Sequence, residues 1–385
     1  MPEPKLQKIE RIVVRGTNWV GDAVMTVPAL RNLRRLFPNS HITLATRSSA
    51  KGLFSEAEFL DDLLVHEGGG LRSVVHQVRD WRRRNFDLAV LLPNSIETAL
   101  VASLARVPIR IGYATDGRQR LLTHPLDLPD WRSSQHEVFY YLNIIARLEW
   151  LVNREQTFLN AQPDASLEVA ETRKIAALDF LRHNRIKGIT DGRLLIAICP
   201  GSINSRAKRW PAERYAALAD RFIDECGADI LLIGSAAEEA VSLEVSERMR
   251  NNPVMLTGKT ELAELVAVLS LVDLLVTNDT GPAHIAAALG RPTLVIFGPT
   301  NPLTTRPFSP LAEIVCSAPD CAPCMLRDCP IDHRCMTAIT PDDVFERARV
   351  MLGRPKTAER PFTACLPTQP LPEFNNKLEF IEQIK

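Results

Sequence analysis

The segment 271–302, LVDLLVTNDTGPAHIAAALGRPTLVIFGPTNP, restricts the fold more than any other part of the chain. Residues 273–277 form an apolar, β-rich run suited to a strand buried on both faces. Asn278, Asp279, Thr280 and Gly281 are turn and N-cap residues, and Pro282 suits the first helical position, where its missing N–H costs nothing. Residues 283–289 favour helix, and Gly290 can end it with positive φ. Residues 293–297 make the next strand. Such a unit aims unpaired backbone N–H groups and a positive helix end beyond the strand tips, where phosphate is the usual occupant. An ordinary crossover whose polar turn only caps a helix fits the same spacing.

The alternation runs through the whole chain. Residues 11–15 predict a strand, followed at once by the turn 16–22; Thr26 then caps a helix with Pro28 in its first turn and one apolar face. Further strands are expected at 41–46, 61–65, 86–92 and near Ile109, with helices near 50–59, 71–84 and 95–106. The polar stretch 153–166 reads as a connection and 168–185 as a helix. The pattern restarts with strands at 194–199, 229–234 and 254–257 and helices at 212–226, 236–250 and 262–271, and a last helix is expected at 341–352. The fold class is therefore α/β, with two doubly wound, mostly parallel sheets. We expect domains at 1–165 and 166–345, then a helix and Pro-rich tail, 346–385, whose end returns to the first domain. At 385 residues, two domains fit the usual size. Their strand tips, and the turns at 16–22 and 279–281, should open into one cleft.

Charge and composition narrow the functional classes. Lys+Arg and Asp+Glu both number 46, so broad electrostatic capture of nucleic acid is not expected. No apolar run approaches the roughly 20 residues of a membrane span, and the start, MPEPKLQKIER, lacks a signal-peptide core, which gives a cytoplasmic expectation. The eight cysteines do not make a disulfide scaffold in a chain of this length.

Several residues sit where chemistry could occur. The loop GSINSRAKRWP (201–211) leaves a strand tip and carries Ser202, Ser205, Arg206, Lys208 and Arg209. Lys208 can neutralise a phosphate as a point charge, and a plain surface charge run is the alternative. Basic residues here and a helix start two strands later suit a diphosphate between them. Asp22 is either a helix cap or a general base reaching across the cleft to a hydroxyl nucleophile. Glu238 either binds the two hydroxyls of a ribose or begins a solvated helix. Neither a G-x-G-x-x-G after the first strand nor a P-loop occurs, which disfavours an NAD enzyme. No D-x-D occurs either, so Lys208 and the helix end would stand in for a divalent cation. Cys321, Cys324, Cys329 and Cys335, with Cys316 and His333 nearby, match no zinc ribbon, and a reduced, partly buried thiol loop is favoured over a metal site.

Taken together, GTNWVGDAVMTVPALRNLRRLFP, PGSINSRAKRWP, LLIGSAAEE, TNDTGPAHIAAALGRP and FGPTNP resemble the lipopolysaccharide heptosyltransferases, and CAPCMLRDCPIDHRCM is similar to a loop of the heptosyltransferase II branch. The matches run in order from about residue 11 to 345. The resemblance implies a GT-B fold and transfer, with inversion, of heptose from ADP-L-glycero-β-D-manno-heptose bound by the second domain. The acceptor is then the inner core on lipid A, with heptose I favoured, bound by the first domain in peripheral contact with the inner membrane. No essential metal or other cofactor is implied. Asp22 falls on the family's catalytic base, Lys208 on its phosphate-binding lysine, Glu238 on its ribose-binding glutamate, and Asp279, Thr280, Gly281 and His284 on its donor motif. Here Pro282 removes one backbone N–H from that motif. Ser202 joins the expected donor residues, and Asn18, Trp19, Arg118 and Arg120 are acceptor candidates; for the arginines a solvated loop, and for the tryptophan plain packing, are the alternatives. Another GT-B enzyme, such as an epimerase or a transferase of a different sugar, and a two-lobed binding protein without chemistry remain competing readings.

Overall fold

The computed structural model describes residues 9–353, apart from 68, 159, 160, 185 and 187–191. The first sheet contains β1 (Arg11–Arg15), β2 (His41–Arg47), β3 (Asp62–His66), β4 (Leu88–Leu91), β5 (Ile109–Tyr113) and β6 (His124–Leu126), in the order β3-β2-β1-β4-β5-β6. The second contains β7 (Leu195–Cys199), β8 (Asp229–Leu232), β9 (Val254–Met255), β10 (Leu274–Asn278), β11 (Thr293–Phe297) and β12 (Ala312–Cys316), in the order β12-β11-β10-β7-β8-β9. All pairings among the described strands are parallel. In each sheet the chain direction of winding reverses beside the first strand, between β1 and β4 and between β7 and β10, which opens a crevice beyond the strand tips.

Helices cover both faces of each sheet, so the central strands are apolar throughout instead of alternating. Val13, Val14, Ile196, Ile198, Leu275 and Val276 are fully buried. The register sets Val13 beside Ala89 and Val276 beside Ile198, fixing which residues lie last at the tips.

Several elements differ from the sequence expectation, among them strands β6 and β12, which were not expected, and the helix expected near 50–59, which is only Ser48–Lys51. Helix Val20–Met25 starts inside the turn expected at 16–22, with Trp19 as N-cap, so Asp22 stands in a helical first turn. A separate helix, Val27–Leu36, follows, and the Thr26 side chain makes no cap; its hydroxyl donates to the Ala23 carbonyl instead. Helix Glu137–Asn153 went unrecognised because it is buried on nearly every side and so has no polar stripe to give it a period. Helix Pro341–Leu352 is continuous across residue 345, and Val344, Phe345, Ala348 and Met351 pack with Phe222 in the second domain, so residues 346–352 go with that domain. The end of the expected tail lies outside the described residues.

The domains are firmly joined. The His136 ring donates from Nε2 to the Arg306 carbonyl at 2.6 Å and accepts the Val138 N–H at Nδ1, while Phe308 packs against His136 and Phe139. Glu56 of the first domain pairs with Arg173 of the second at 3.0 Å and accepts from the Ala170 N–H at 2.9 Å.

Candidate active site

Each sheet sends the residues after its reversal point into the same gap. Val20 and Gly21, at the start of helix Val20–Met25, meet Gly281 and His284, at the start of helix Gly281–Ala288. The approach is close: a Cβ on Gly21 would lie 3.0 Å from His284 Cδ2, and one on Gly281 would lie 3.0 Å from Val20 Cβ. His284 is buried, its Nδ1 lacks a partner, and burial pushes its imidazole down to about 4, so it is neutral at pH 7.

Asp22 faces this gap half-buried. Its carboxyl is raised from 3.8 to about 6, first by burial, then by the Glu137 carboxylate, with Lys208 opposing and Asp279 adding to the rise. A carboxylate poised near 6 can accept a proton at neutral pH more readily than an ordinary aspartate. Sequence reasoning missed Glu137, which opens the unrecognised helix, and Arg132, whose guanidinium pairs with both Glu137 oxygens and lies over the Tyr140 ring. No spacing marks either residue, because the helix also carries Asn143, Arg147 and Glu149 and nothing in the chain distinguishes Glu137 from them.

On the opposite side, Lys208 Nζ lies 2.7 Å from Asp279 Oδ2 and also donates to the Asp279 carbonyl at 3.2 Å. The Thr300 hydroxyl donates to the same Oδ2 at 2.7 Å. Asp279 thus aims the lysine. Thr280 and Gly281 begin the following helix and present the positive helix end beside that ammonium. Ser202 is buried, and its carbonyl accepts from Nε and Nη2 of Arg209, which fixes one edge of that guanidinium. Arg206 pairs with Asp328 at the surface. Glu238 closes a capping box through Oε2, which accepts from the Ser235 N–H and hydroxyl, while Oε1 sits against Gly201.

Buried Asn278 holds these parts together. Its amide donates to the carbonyls of Pro200 and Gly201, and its oxygen accepts from the Trp210 N–H and the Tyr215 hydroxyl. The cysteine loop also buttresses the site. The Ala207 N–H donates to the Arg327 carbonyl, His333 bonds to the Ala207 carbonyl, and the Met325 N–H donates to the Pro299 carbonyl. Cys321, Cys324, Cys329 and Cys335 are free thiols, of which Cys321 and Cys324 are exposed and Cys335 is buried, as expected of a partly buried thiol loop. Among the described residues no group of three or more His, Cys, Asp or Glu is placed to hold a metal ion.

The acceptor candidates divide. Trp19 is 54% exposed beside Asp22's helix, Asn18 is half-buried next to it, and Arg120 is exposed. Arg118 is a correction: it is 0% exposed, and its guanidinium donates to the carbonyls of Tyr113, Pro93 and Ser95 and to Thr98 and Asn94. Gly112 leaves room for it, and the carbonyls take up its N–H donors, so none of them is aimed at an acceptor substrate.

Residues 74–334 match the model of glycosyltransferase family 9 (heptosyltransferase). The chain is 30% identical over 318 residues to lipopolysaccharide heptosyltransferase 2 of Escherichia coli K12, an alignment covering 79% of this chain and 87% of that one. It is 29% identical over 317 residues to lipooligosaccharide heptosyltransferase 2 of Haemophilus influenzae, covering 79% and 88%. Its fold superposes on the structure of E. coli ADP-heptose LPS heptosyltransferase II with a TM-score of 0.75 at 27% identity, covering 89% and 98%, and the two-sheet arrangement is GT-B. With the family match spanning most of the chain and the geometry in accord, the protein belongs to glycosyltransferase family 9, the heptosyltransferases.

Proposed function

We propose that the chain moves L-glycero-D-manno-heptose from ADP-heptose to the inner core of lipopolysaccharide, with heptose I as the acceptor sugar. The observation that carries this is the opposition of a carboxyl raised to about 6, Asp22, to the Lys208–Asp279 pair and helix end of the other domain. The heptosyltransferase 2 relatives support the choice of sugar and acceptor.

In this scheme Asp22 takes the proton of the acceptor hydroxyl as its oxygen bonds to the anomeric carbon. The bond from that carbon to the ADP oxygen breaks on the opposite face, which inverts the centre. Negative charge grows on ADP, and Lys208 with the N–H groups of Thr280 and Gly281 meets it without reorganising. No divalent cation has a part in the scheme. Glu238 Oε1 is the ribose ligand, freed for it by the cap that occupies Oε2. Ser202 and His284 line the donor side, and Asn18, Trp19 and Arg120 the acceptor side.

The acceptor's lipid anchor calls for peripheral contact with the cytoplasmic face of the inner membrane. Ile96, Leu100 and Leu104 make an exposed stripe on helix Ile96–Leu104, beside exposed Leu71, Val75, Arg72, Arg79 and Arg83 of the neighbouring helix Leu71–Arg84. That mixture suits an anionic bilayer surface. Among the described residues no helix is long and apolar enough to cross a membrane.

Incubation with ADP-heptose, and separately with UDP-sugars, in the presence of a heptose I-terminated acceptor tests the assignment. ADP release with a mass gain of one heptose on the acceptor is expected. Turnover of UDP-sugars alone would show a different GT-B enzyme, and no turnover of any donor a binding protein.

A further inference from the structure

We propose that Arg15, Arg47 and His66 form an anion subsite on the first domain that grips an acidic group of the acceptor. The identity of the ligand rests on the heptosyltransferase reading above; the existence of the subsite does not.

These residues end three adjacent parallel strands, β1, β2 and β3, at the tips from which the turn to Asp22 also leaves. Arg47 and His66 are register partners across β2 and β3, and Arg15 lies one strand further in. Asn18 Oδ1 accepts from Arg15 Nη2 at 3.3 Å and from Arg47 Nε at 3.0 Å, so one neutral amide gathers two guanidinium groups.

The cluster is short of negative charge. Arg15 is 4% exposed, and its guanidinium, which donates to the Gly16 carbonyl as well as to Asn18, is pushed down to about 10 by burial and by Arg47, with Glu97 opposing. His66 is 6% exposed, and neither ring nitrogen has a hydrogen-bond partner. Burial, Arg15 and Arg47 hold its imidazole down to about 4, so it is neutral and keeps one N–H to donate. Arg15 and the unsatisfied His66 ring are buried while Arg47 reaches the surface beside them, so an oxyanion can approach from the Arg47 side and recover the free energy that the desolvated guanidinium and the unpaired ring cost. Planar guanidinium forks suit a carboxylate or a phosphate ester, and the exposed Trp19 ring on the same turn offers a face for the sugar that bears it. An acidic inner-core sugar and a core phosphate share this chemistry.

The test uses the full-length protein saturated with ADP, which fills the phosphate site of the second domain. Inorganic phosphate is added while the His66 ring is followed by NMR; an anion between the arginines should raise its titration midpoint, and Arg47→Ala should abolish the response. In the transfer assay, Arg47→Ala and His66→Gln should raise KM for the acceptor about tenfold or more, the loss of one charge-assisted contact, with ADP affinity unchanged. Arg47→Lys should recover part of the loss. Removing the acceptor's phosphates in one arm, and reducing its carboxylates to alcohols in the other, names the group: the Arg47→Ala penalty vanishes only in the arm that lacks it. An acceptor KM unchanged in Arg47→Ala overturns the proposal, whatever phosphate does. Wild-type protein that transfers no heptose but shows the His66 response keeps the subsite and refutes the heptosyltransferase reading instead.

Discussion

Lys208 and Asp279 form an ion pair at 2.7 Å, although they lie 71 residues apart on loops that leave neighbouring strands of the second sheet. The carboxylate holds the ammonium at the start of helix Gly281–Ala288, and Thr300 holds the carboxylate. The ammonium and the helix end are therefore held together by the protein itself, which is what the proposed electrostatic stabilisation of a leaving group requires. Lys208→Ala should weaken ADP binding and slow turnover about a hundredfold or more, corresponding to ~3–4 kcal/mol. Calorimetry with ADP and steady-state kinetics check both effects; ADP affinity equal to wild type would refute the clamp.

Asp22→Asn should cut transfer by roughly a thousandfold or more while ADP affinity stays within a few fold. The variant should also be the more stable protein at pH 8. Asp22 has its folded value raised to about 6, so the stability it contributes is present below its unfolded value near 3.8 and is lost as pH rises through 6. Removing the buried charge should thus raise Tm at pH 8 by an amount worth about 1–2 kcal/mol. A variant that loses both activity and stability would argue for a structural role instead.

Activity should fall below about pH 6 as Asp22 takes up its proton. Glu137→Gln removes the carboxylate that, after burial, does most to raise Asp22, and it frees the charge of Arg132 nearby. Both changes favour the ionised base. The acidic limb of kcat/KM should move to lower pH in this variant, and a limb left in place would show that Glu137 does not set the base.

Gly201→Ala offers a way to disturb Glu238 without touching it. The new methyl would lie 2.4 Å from Glu238 Oε1, so the carboxylate must swing away. ADP affinity should drop to about the level of Glu238→Ala, whereas AMP-free diphosphate should bind both variants as it binds wild type. Diphosphate weakened to the same degree would place the defect in the phosphate loop.

Membrane docking has its own test. Leu100→Asp, in the middle of the exposed stripe, should lower co-sedimentation with anionic vesicles severalfold while a water-soluble, lipid-free acceptor is still used normally. Undiminished vesicle binding would move the membrane face elsewhere.

Buried parallel strands must be apolar runs and turns need Gly, Pro, Asp or Asn at fixed places, so the alternation of strands and helices, both turns at the gap and the order of the motifs were legible without coordinates. Asp22, Lys208, Asp279, Thr280 and Gly281 were legible for that reason. Which polar residues are already occupied depends on contacts formed in the folded chain. Arg118 has the same local appearance as Arg120, yet it is sealed among backbone carbonyls that no spacing reveals. Glu137 lay unmarked in a helix whose faces are nearly all buried, and it acts on Asp22 only because the folded chain packs that helix beside the turn after β1. Arg15, Arg47 and His66 are far apart in the chain and become neighbours only through the register of three strands. Periodicity reports which face of an element is buried, whereas charge pairing, desolvation and unsatisfied donors depend on contacts between elements, and those exist only once the sheets have formed and met.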